Sequence, residues 1–442
     1  MSTRRAIALV DGEHYPPTTR WALDVARERG YDVVACLFMG GTEKIGAGEI
    51  PDLGVQVETV TGDLRSAILG ASKAHKAEVI LDLSDEPVLG YEEREIIAKA
   101  ASDAGAAYET GDDQPQPEAV SLEVPALAVI GTGKRTGKTA IGGETARVAA
   151  AEGLEPVIVA MGRGGPPEPQ VNHAGSVTLE LLLELVASGE HASSDYLEDA
   201  LFTGVTTIGA RRAGAGPAGR PFVSNVPEAA RLADAMGPGL VILEGSGAAI
   251  PPVPADAMIL VSPASIPLDH LAGYKGPDRV LLSDLVVFTM GASPNSGPHD
   301  LSSRVSHVRG LRPDARIALI EFRPAPAGDV REKKVYFTTT APSSAGPSLV
   351  ASLEDRHGCS VVGVSHRLAD RAGLAEDLDA APSYDVLLTE LKAAAVDISA
   401  RRALDRGAEV VFCDNHPESV GGDGDLPDLL RDVARLALER KG

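Results

Sequence analysis

The densest chemistry in the chain lies in one run, Gly131-Thr-Gly-Lys-Arg-Thr-Gly-Lys-Thr139. Glycines let consecutive backbone N–H groups turn inward on phosphate oxygens, and a helix N-terminus adds a favourable partial charge. Lys138 is placed to reach the β- and γ-phosphates, and the Thr139 hydroxyl to bind Mg2+. Gly131, Thr132, Gly133, Lys134, Arg135, Thr136, Gly137, Lys138 and Thr139 are therefore the candidate ATP contacts. The spacing departs from the strict G-x4-G-K-[ST] pattern, because five residues separate Gly131 from Gly137 and the strict first-glycine position is Thr132. A second signal is Leu240-Val-Ile-Leu-Glu244-Gly, an apolar run ending in a carboxylate. A carboxylate at a strand tip can orient a Mg2+-bound or attacking water, so Glu244 joins Thr139 as a candidate metal residue.

Basic residues set among glycines form a third signal. They are Arg163 in Gly162-Arg-Gly-Gly-Pro166, Arg211 and Arg212 after Gly209, Arg220 after Gly219, and Lys275 in Gly273-Tyr-Lys-Gly-Pro277. Arginine presents a fork that matches phosphate, and neighbouring glycines let backbone amides approach the same anion. Arg163, Arg211, Arg212 and Lys275 thus read as a second anion site beside the ATP γ-phosphate. Lys138, Lys134, Arg163 and Glu244 are the candidates for catalysis. In the N-terminal part, Asp11, Glu13 and His14 follow one apolar run, and Lys44 follows another after Gly40-Gly41. Asp11, His14 and Lys44 are candidate substrate anchors. Cys413-Asp-Asn-His416 has the residue types of a metal group but reads as a loop with satisfied hydrogen bonds.

These residues need elements to hold them. Ala6–Val10, Val33–Met39, Val55–Val60 and Val79–Leu83 read as buried strands, with helices over Thr19–Arg29, Asp63–Lys73 and Tyr91–Ala104 between them. Such alternation implies βαβ units and a parallel sheet, with ligands outside the carboxyl ends of the strands. The polar, proline-bearing run Thr110–Glu118 sets a boundary near residue 120. A second unit over 121–330 opens with strand Ala126–Ile130, the loop, and a helix from Lys138 to Glu152. Val157–Met161, Leu240–Leu243, Met258–Val261 and Leu285–Met290 are further strands, while Thr203–Asn225 shows no clear period and suits a mobile lid over 209–220. Over 331–442, Val335–Thr339, Ser360–Val364 and Val410–Cys413 read as strands, with helices near 347–357, 385–394 and 398–406. This is either a third α/β unit or the completion of the second. The expected class is α/β: a P-loop parallel sheet with a Rossmann-like N-terminal domain and a C-terminal α/β extension.

Composition excludes several classes. The chain has 442 residues, 41 Lys+Arg against 63 Asp+Glu, and a net charge of −22. That balance argues against nucleic acid held by bulk charge. It leaves room for a small anion in a local basic cluster. No apolar run is long enough to span a membrane, and Ala6–Val10 is too short for a signal peptide. Three scattered cysteines imply no disulfide framework and fit a reducing cytoplasm.

The phosphate loop and Glu244-Gly-Ser-Gly247 together resemble dethiobiotin synthetase and its relatives among P-loop proteins. Gly133 stands where the signature-lysine branch of P-loop ATPases carries its lysine, so Lys134, one step later, would act in cis. The ordered set is more specific. It comprises the loop, Gly-Arg-Gly-Gly-Pro, Ser-Asp-Tyr-Leu-Glu-Asp-Ala-Leu, Gly-Val-Thr-Thr-Ile-Gly, Pro-Phe-Val-Ser-Asn-Val, Leu-Glu-Gly-Ser-Gly-Ala and Asp-Gly-Glu-His-Tyr-Pro. Across most of the chain it resembles the cyclic 2,3-diphosphoglycerate synthetase family. The resemblance implies a ligase that converts 2,3-diphosphoglycerate and ATP into cyclic 2,3-diphosphoglycerate, ADP and phosphate, with Mg2+. The N-terminal domain would then share the diphosphoglycerate site, and P-loop relatives of this kind are commonly homodimers. Two alternatives stand beside it: a nucleotide-switch ATPase of the metallocentre-maturation type, and a kinase of a phosphorylated small acid.

Overall fold

Apolar strands pair edge to edge because both faces of a parallel sheet are covered by helices. In the N-terminal part, strands pair in the order Val57–Thr59, Tyr31–Phe38, Arg4–Val10, Val79–Asp82, Ala107–Glu109, every pair parallel. The computed structural model describes residues 3–41, 45, 50–115, 120–290 and 298–442, and for residues 298–300 the backbone only. Helices Pro16–Glu28, Leu64–His75 and Tyr91–Asp103 cover this five-stranded sheet. Proline opens the first of them, and the Asp63 side chain caps the second through Ser66 N. The chain leaves Arg4–Val10 in opposite directions along the sheet, so a crevice opens beyond the tips of Arg4–Val10 and Val79–Asp82. Asp11–His14 follow the first tip, and Asp85 and Glu86 follow the second.

The large sheet has thirteen strands. From one edge it runs Pro221–Ser224, Thr206–Ala215, Val157–Gly162, Val241–Glu244, Ala126–Gly131, Ala257–Pro263, Leu285–Thr289, Arg316–Pro326. It continues through Glu409–Gly422, Val386–Glu390, Lys334–Thr338 and Ser360–Ser365, with Gln170–Asn172 pairing Thr206–Ala215 off this path. The phosphate-loop strand Ala126–Gly131 is central and parallel to both neighbours, and Val241–Glu244 lies beside it. The long antiparallel pair Ala318–Pro326 with Cys413–Gly422 welds this region to the parallel strands beyond. The helix Leu426–Lys441 then turns back. Its Leu426, Leu429, Leu430, Val433, Ala434 and Ala437 share one core with Leu127 and Val129 of the phosphate-loop strand. The last segment therefore completes the core of the central sheet.

Three expectations are corrected. Residues 385–394 do not form a helix: Val386–Glu390 is a fully buried strand between two parallel neighbours. Val-Leu-Leu is too short a run to show which period it follows, and its place inside the sheet decides. The segment 209–220 is not a lid. Thr206–Ala215 is an inner strand that forms a hairpin with Pro221–Ser224, and Asp112 of the N-terminal part accepts hydrogen bonds from Ala218 N and Arg220 N at its turn. Its glycines and arginines hid a strand that lacks a side-chain period. Ala213 and Phe222 of this hairpin belong to the N-terminal core, so the two sheets share packing. Finally, Cys413–His416 is strand rather than loop.

Candidate active site

The phosphate loop is shaped by close packing. Gly137 has φ +95°, and a Cβ there would lie 2.3 Å from Phe322 Cζ. Only glycine both accepts that conformation and admits the ring. The Lys138 ammonium donates to Gly133 O at 2.8 Å and lies 3.4 Å from Thr136 Oγ1. Burial is the main cause that draws its pKa down to about 8, against the pull of Glu244 and Asp195. Thr132 Oγ1 donates to Ser262 Oγ at 3.2 Å, and Thr289 Oγ1 donates to Thr136 O at 2.9 Å. The ends of the two strands on one side, Ala257–Pro263 and Leu285–Thr289, thus fix the loop.

Across the loop stand the strand tips of the N-terminal sheet. Asp11 Oδ1 accepts from the backbone N–H groups of Glu13 and His14, each at 3.0 Å, and faces His14 Nδ1 at 2.8 Å. Gly12 makes this turn possible, since a Cβ would sit 2.1 Å from Gly41 O. Burial opposes the charge on Asp11, yet His14 outweighs it and holds the carboxyl below its ordinary range. An ionised Asp11 takes the proton-bearing Nδ1, which leaves Nε2 to accept from Gly214 N at 3.3 Å. His14 therefore ties the N-terminal sheet to the hairpin strand.

Asp85 is the hub of the seam. Its carboxylate lies 2.5 Å from Arg212 Nη2, 3.5 Å from Arg163 Nη1 and 3.7 Å from His14 Nε2. Burial would raise its pKa, but the Arg212 guanidinium, with Arg163 beside it, prevails and holds it well below the carboxylate range. Arg212 is completely buried and also donates to Ser246 O at 2.8 Å. Arg163 donates to Glu86 O at 3.2 Å and lies 3.8 Å from Glu13. Lys134 of the phosphate loop pairs with Glu13 across the seam. Lys134, Arg163 and Arg212 of the central unit therefore meet Glu13 and Asp85 of the N-terminal one.

Behind the loop lies a carboxylate cluster. Glu244 ends its strand beside Thr139 and Asp199, yet neither of its buried carboxyl oxygens has a well-formed hydrogen bond. Burial, then Asp195, pushes its pKa up to about 7. Burial likewise raises Asp199, and pushes Glu198 up to about 8 against the pull of Lys392. Lys392, from the C-terminal region, lies 3.3 Å from Glu198. No group of three or more His, Cys, Asp or Glu among the described residues is arranged to hold a metal ion on its own. A magnesium ion in a nucleotide site needs only one or two protein oxygens plus phosphates. The orphaned oxygens of Glu244 next to Thr139 fit that requirement.

Four of the expected residues fall elsewhere or outside this geometry. Arg211 and Arg212 are neighbours on one strand, so their side chains leave on opposite faces. Arg211 lays its guanidinium over the Trp21 ring at 4.2 Å, while Arg212 enters the seam. Lys275 is half exposed, 3.6 Å from Asp278, at the start of helix Gly276–Leu282. Arg220 is exposed on the hairpin turn. Lys44 lies outside the described residues. In Cys413–His416, Asp414 pairs with Arg147 at 3.1 Å and Asn415 donates to Glu390 at 3.3 Å, which is a strand junction rather than a metal centre.

Sequence reasoning missed Asp85, Glu86, Arg279, Asp199 and Lys392. Asp85 had a signal: it follows the buried run Val79–Leu83, the neighbour of the strand that ends in Asp11. Arg279 had none. It is buried and donates to Ala248 O at 2.8 Å and Pro217 O at 3.3 Å, contacts that only the fold creates.

A glycine-rich loop at the carboxyl end of a central parallel strand, with Lys138 in its hollow and a carboxylate ending the adjacent strand, defines a P-loop α/β protein. The comparisons narrow the class. Models of the cyclic 2,3-diphosphoglycerate synthetase N-terminal, P-loop and C-terminal domains match residues 5–114, 126–320 and 326–416. A cyclic 2,3-diphosphoglycerate synthetase of Rubrobacter xylanophilus is 46% identical over 98% of both chains. One from Methanothermus fervidus is 39% identical over 99% of this chain and 98% of its own. The chain belongs to the cyclic 2,3-diphosphoglycerate synthetase family. Among solved structures, LpxK of Aquifex aeolicus in complex with ATP is 12% identical with a TM-score of 0.40, over 85% of this chain and 99% of its own. No helix among the described residues is long and apolar enough to cross a membrane.

Proposed function

We propose that this protein is an ATP-dependent ligase that closes 2,3-diphosphoglycerate into cyclic 2,3-diphosphoglycerate, releasing ADP and phosphate. The observation that carries this reading is the seam, where Lys134, Arg163 and Arg212 gather next to a phosphate loop. A substrate with two neighbouring phosphates supplies the anions such a cluster suits.

Two steps account for the atoms. An oxygen of one substrate phosphate bonds to the ATP γ-phosphorus, the bond from that phosphorus to the β-bridging oxygen breaks, and ADP leaves. An oxygen of the other substrate phosphate then bonds to the activated phosphorus. The bond to the transferred group breaks, and inorganic phosphate leaves as the ring closes. Neither step needs a covalent bond to the protein. The chain's part is positioning and charge neutralisation. Lys138 and the loop amides hold the β- and γ-phosphates, Lys134 stands on the transferred group, Arg163 holds substrate phosphate, and Arg212, kept by Asp85, adds positive charge behind it. Thr139 and Glu244 would hold Mg2+, which neutralises phosphate charge when bound. Burial at the seam keeps water from the activated phosphate.

The reading also places the protein in the cytoplasm as a homodimer, with domains over 1–120, 121–330 and 331–442. Phosphorus NMR of the protein with Mg·ATP and 2,3-diphosphoglycerate tests the reaction. A new cyclic diphosphate signal with one ADP per ring is expected. ADP release with unchanged diphosphoglycerate signals would instead favour a nucleotide-switch ATPase, and a linear product a kinase.

A further inference from the structure

We infer that Glu13 makes ATP turnover conditional on the second substrate, by holding Lys134 until an anion displaces it. The inference rests on the proposed reaction and concerns the same site. Glu13 is no catalytic residue here; it acts through Lys134, the cation it pairs with.

The seam holds two kinds of pairing. Arg212 and Asp85 are both almost wholly enclosed, at 0% and 4% side-chain exposure, and Arg212 is further bonded to Ser246 O. Separating two enclosed charges leaves each uncompensated, so this pair is permanent. Lys134 and Glu13 are more open, at 15% and 7%, whereas Arg163 is held by Glu86 O at 3.2 Å and Asp85 at 3.5 Å and lies beyond hydrogen-bond length from Glu13. Glu13 is anchored by its backbone, whose N–H is bonded to Asp11, while its side chain supplies the charge. Lys134 is a flexible cation that belongs to the phosphate loop itself. An incoming substrate phosphate carries more charge than one carboxylate and presents three oxygens, so it competes directly with Glu13 for Lys134. Exchange of Glu13 for phosphate frees Lys134 to face the transferred group.

This arrangement suppresses a wasteful reaction. Without the second substrate, water can attack the γ-phosphorus: a new P–O bond forms, the bond to the β-bridging oxygen breaks, ADP leaves, and the water proton passes to solvent. Lys134 paired with Glu13 is withheld from that reaction.

The test is Glu13→Gln, which keeps the shape and removes the charge. ADP release in the absence of 2,3-diphosphoglycerate should rise about five- to tenfold, the low end of ordinary coupling between sites. The KM for 2,3-diphosphoglycerate should fall, because its competitor is gone, and the yield of cyclic product per ADP should drop. A merely structural role would raise that KM and weaken ATP binding. Glu13→Asp should restore part of the restraint. In a Lys134→Gln background, Glu13→Gln should give no increase in ADP release. Unchanged substrate-free ADP release with unchanged KM overturns the inference, as does an increase that persists without Lys134. If wild-type protein forms no cyclic product while Glu13→Gln still raises ADP release through Lys134, the cyclase reading falls and the restraint stands.

Discussion

At the residue scale, adjacent arginines on one strand have different fates. Arg212→Ala leaves Asp85 buried without its main counter-charge, and breaking such a pair costs about 3–5 kcal/mol. Arg211→Ala removes a cation from the Trp21 face, worth about 0.5–1 kcal/mol at a partly exposed site. Chemical denaturation of the two variants should show that contrast, with the KM for diphosphoglycerate unaffected in the Arg211 variant. Glu198 gives a pH signature. Its carboxyl is raised from 4.5 to about 8, so the folded protein binds more protons than the unfolded chain within that window. Its contribution is therefore fully present below about pH 4.5 and lost as pH rises through about 8. Calorimetry of Glu198→Gln should show a smaller fall in Tm between pH 5.5 and 8.5 than the wild-type protein. The phosphate loop was legible because its residues are contiguous. The seam was not, because Glu13, Asp85, Lys134, Arg163 and Arg212 come from five separate segments. Only the strand-tip rule, applied to both neighbouring strands, reaches Asp85.

At the element scale, the loop depends on a ring from a distant strand. Gly137→Ala meets both a positive φ and Phe322, so it should destabilise the protein by at least about 1–2 kcal/mol and abolish ATP binding in calorimetric titration. Shortening Phe322 to Leu should recover stability in part and not fully, because the backbone penalty remains. Strands rich in Val, Ile and Leu were readable as short apolar runs. The hairpin 206–224 was not, since Gly209, Gly214 and its arginines carry no strand-like period and its pairing is set by neighbours on both sides. Val386–Glu390 shows the reverse failure: a run legible as apolar, whose type was decided only by its position within the sheet.

At the scale of the whole molecule, both signs of charge are enclosed, and the buried cations stand among buried carboxylates such as Asp11, Glu13, Asp85 and Glu244 rather than inside a purely acidic shell. Lys138, Arg163, Arg212 and Arg279 are buried in a chain of net charge −22, while Arg220 and Lys275 remain outside. Position rather than total charge sets which anions the protein can hold. The third region is no detachable appendage either, because its strands extend the central sheet and its final helix covers the phosphate-loop strand. A chain ended after Pro326 should lose cooperative unfolding and bind a hydrophobic dye, because it exposes an unpaired strand edge and the apolar bed of helix Leu426–Lys441. Retention of a sharp melting transition would contradict this account of the core.

That returning helix also sets a timetable. Chains emerge from the ribosome at roughly 5–20 residues per second, and units close as their parts appear. The five-stranded sheet has all its strands once Glu109 has emerged, whereas the strand Ala126–Gly131 waits for Leu426–Lys441. For much of its synthesis the nascent protein carries a head with all its strands, whose core closes only when Ala213 and Phe222 arrive, and an open middle. Its vulnerable interval, when chaperones have most to shield, is therefore written into the order of its segments.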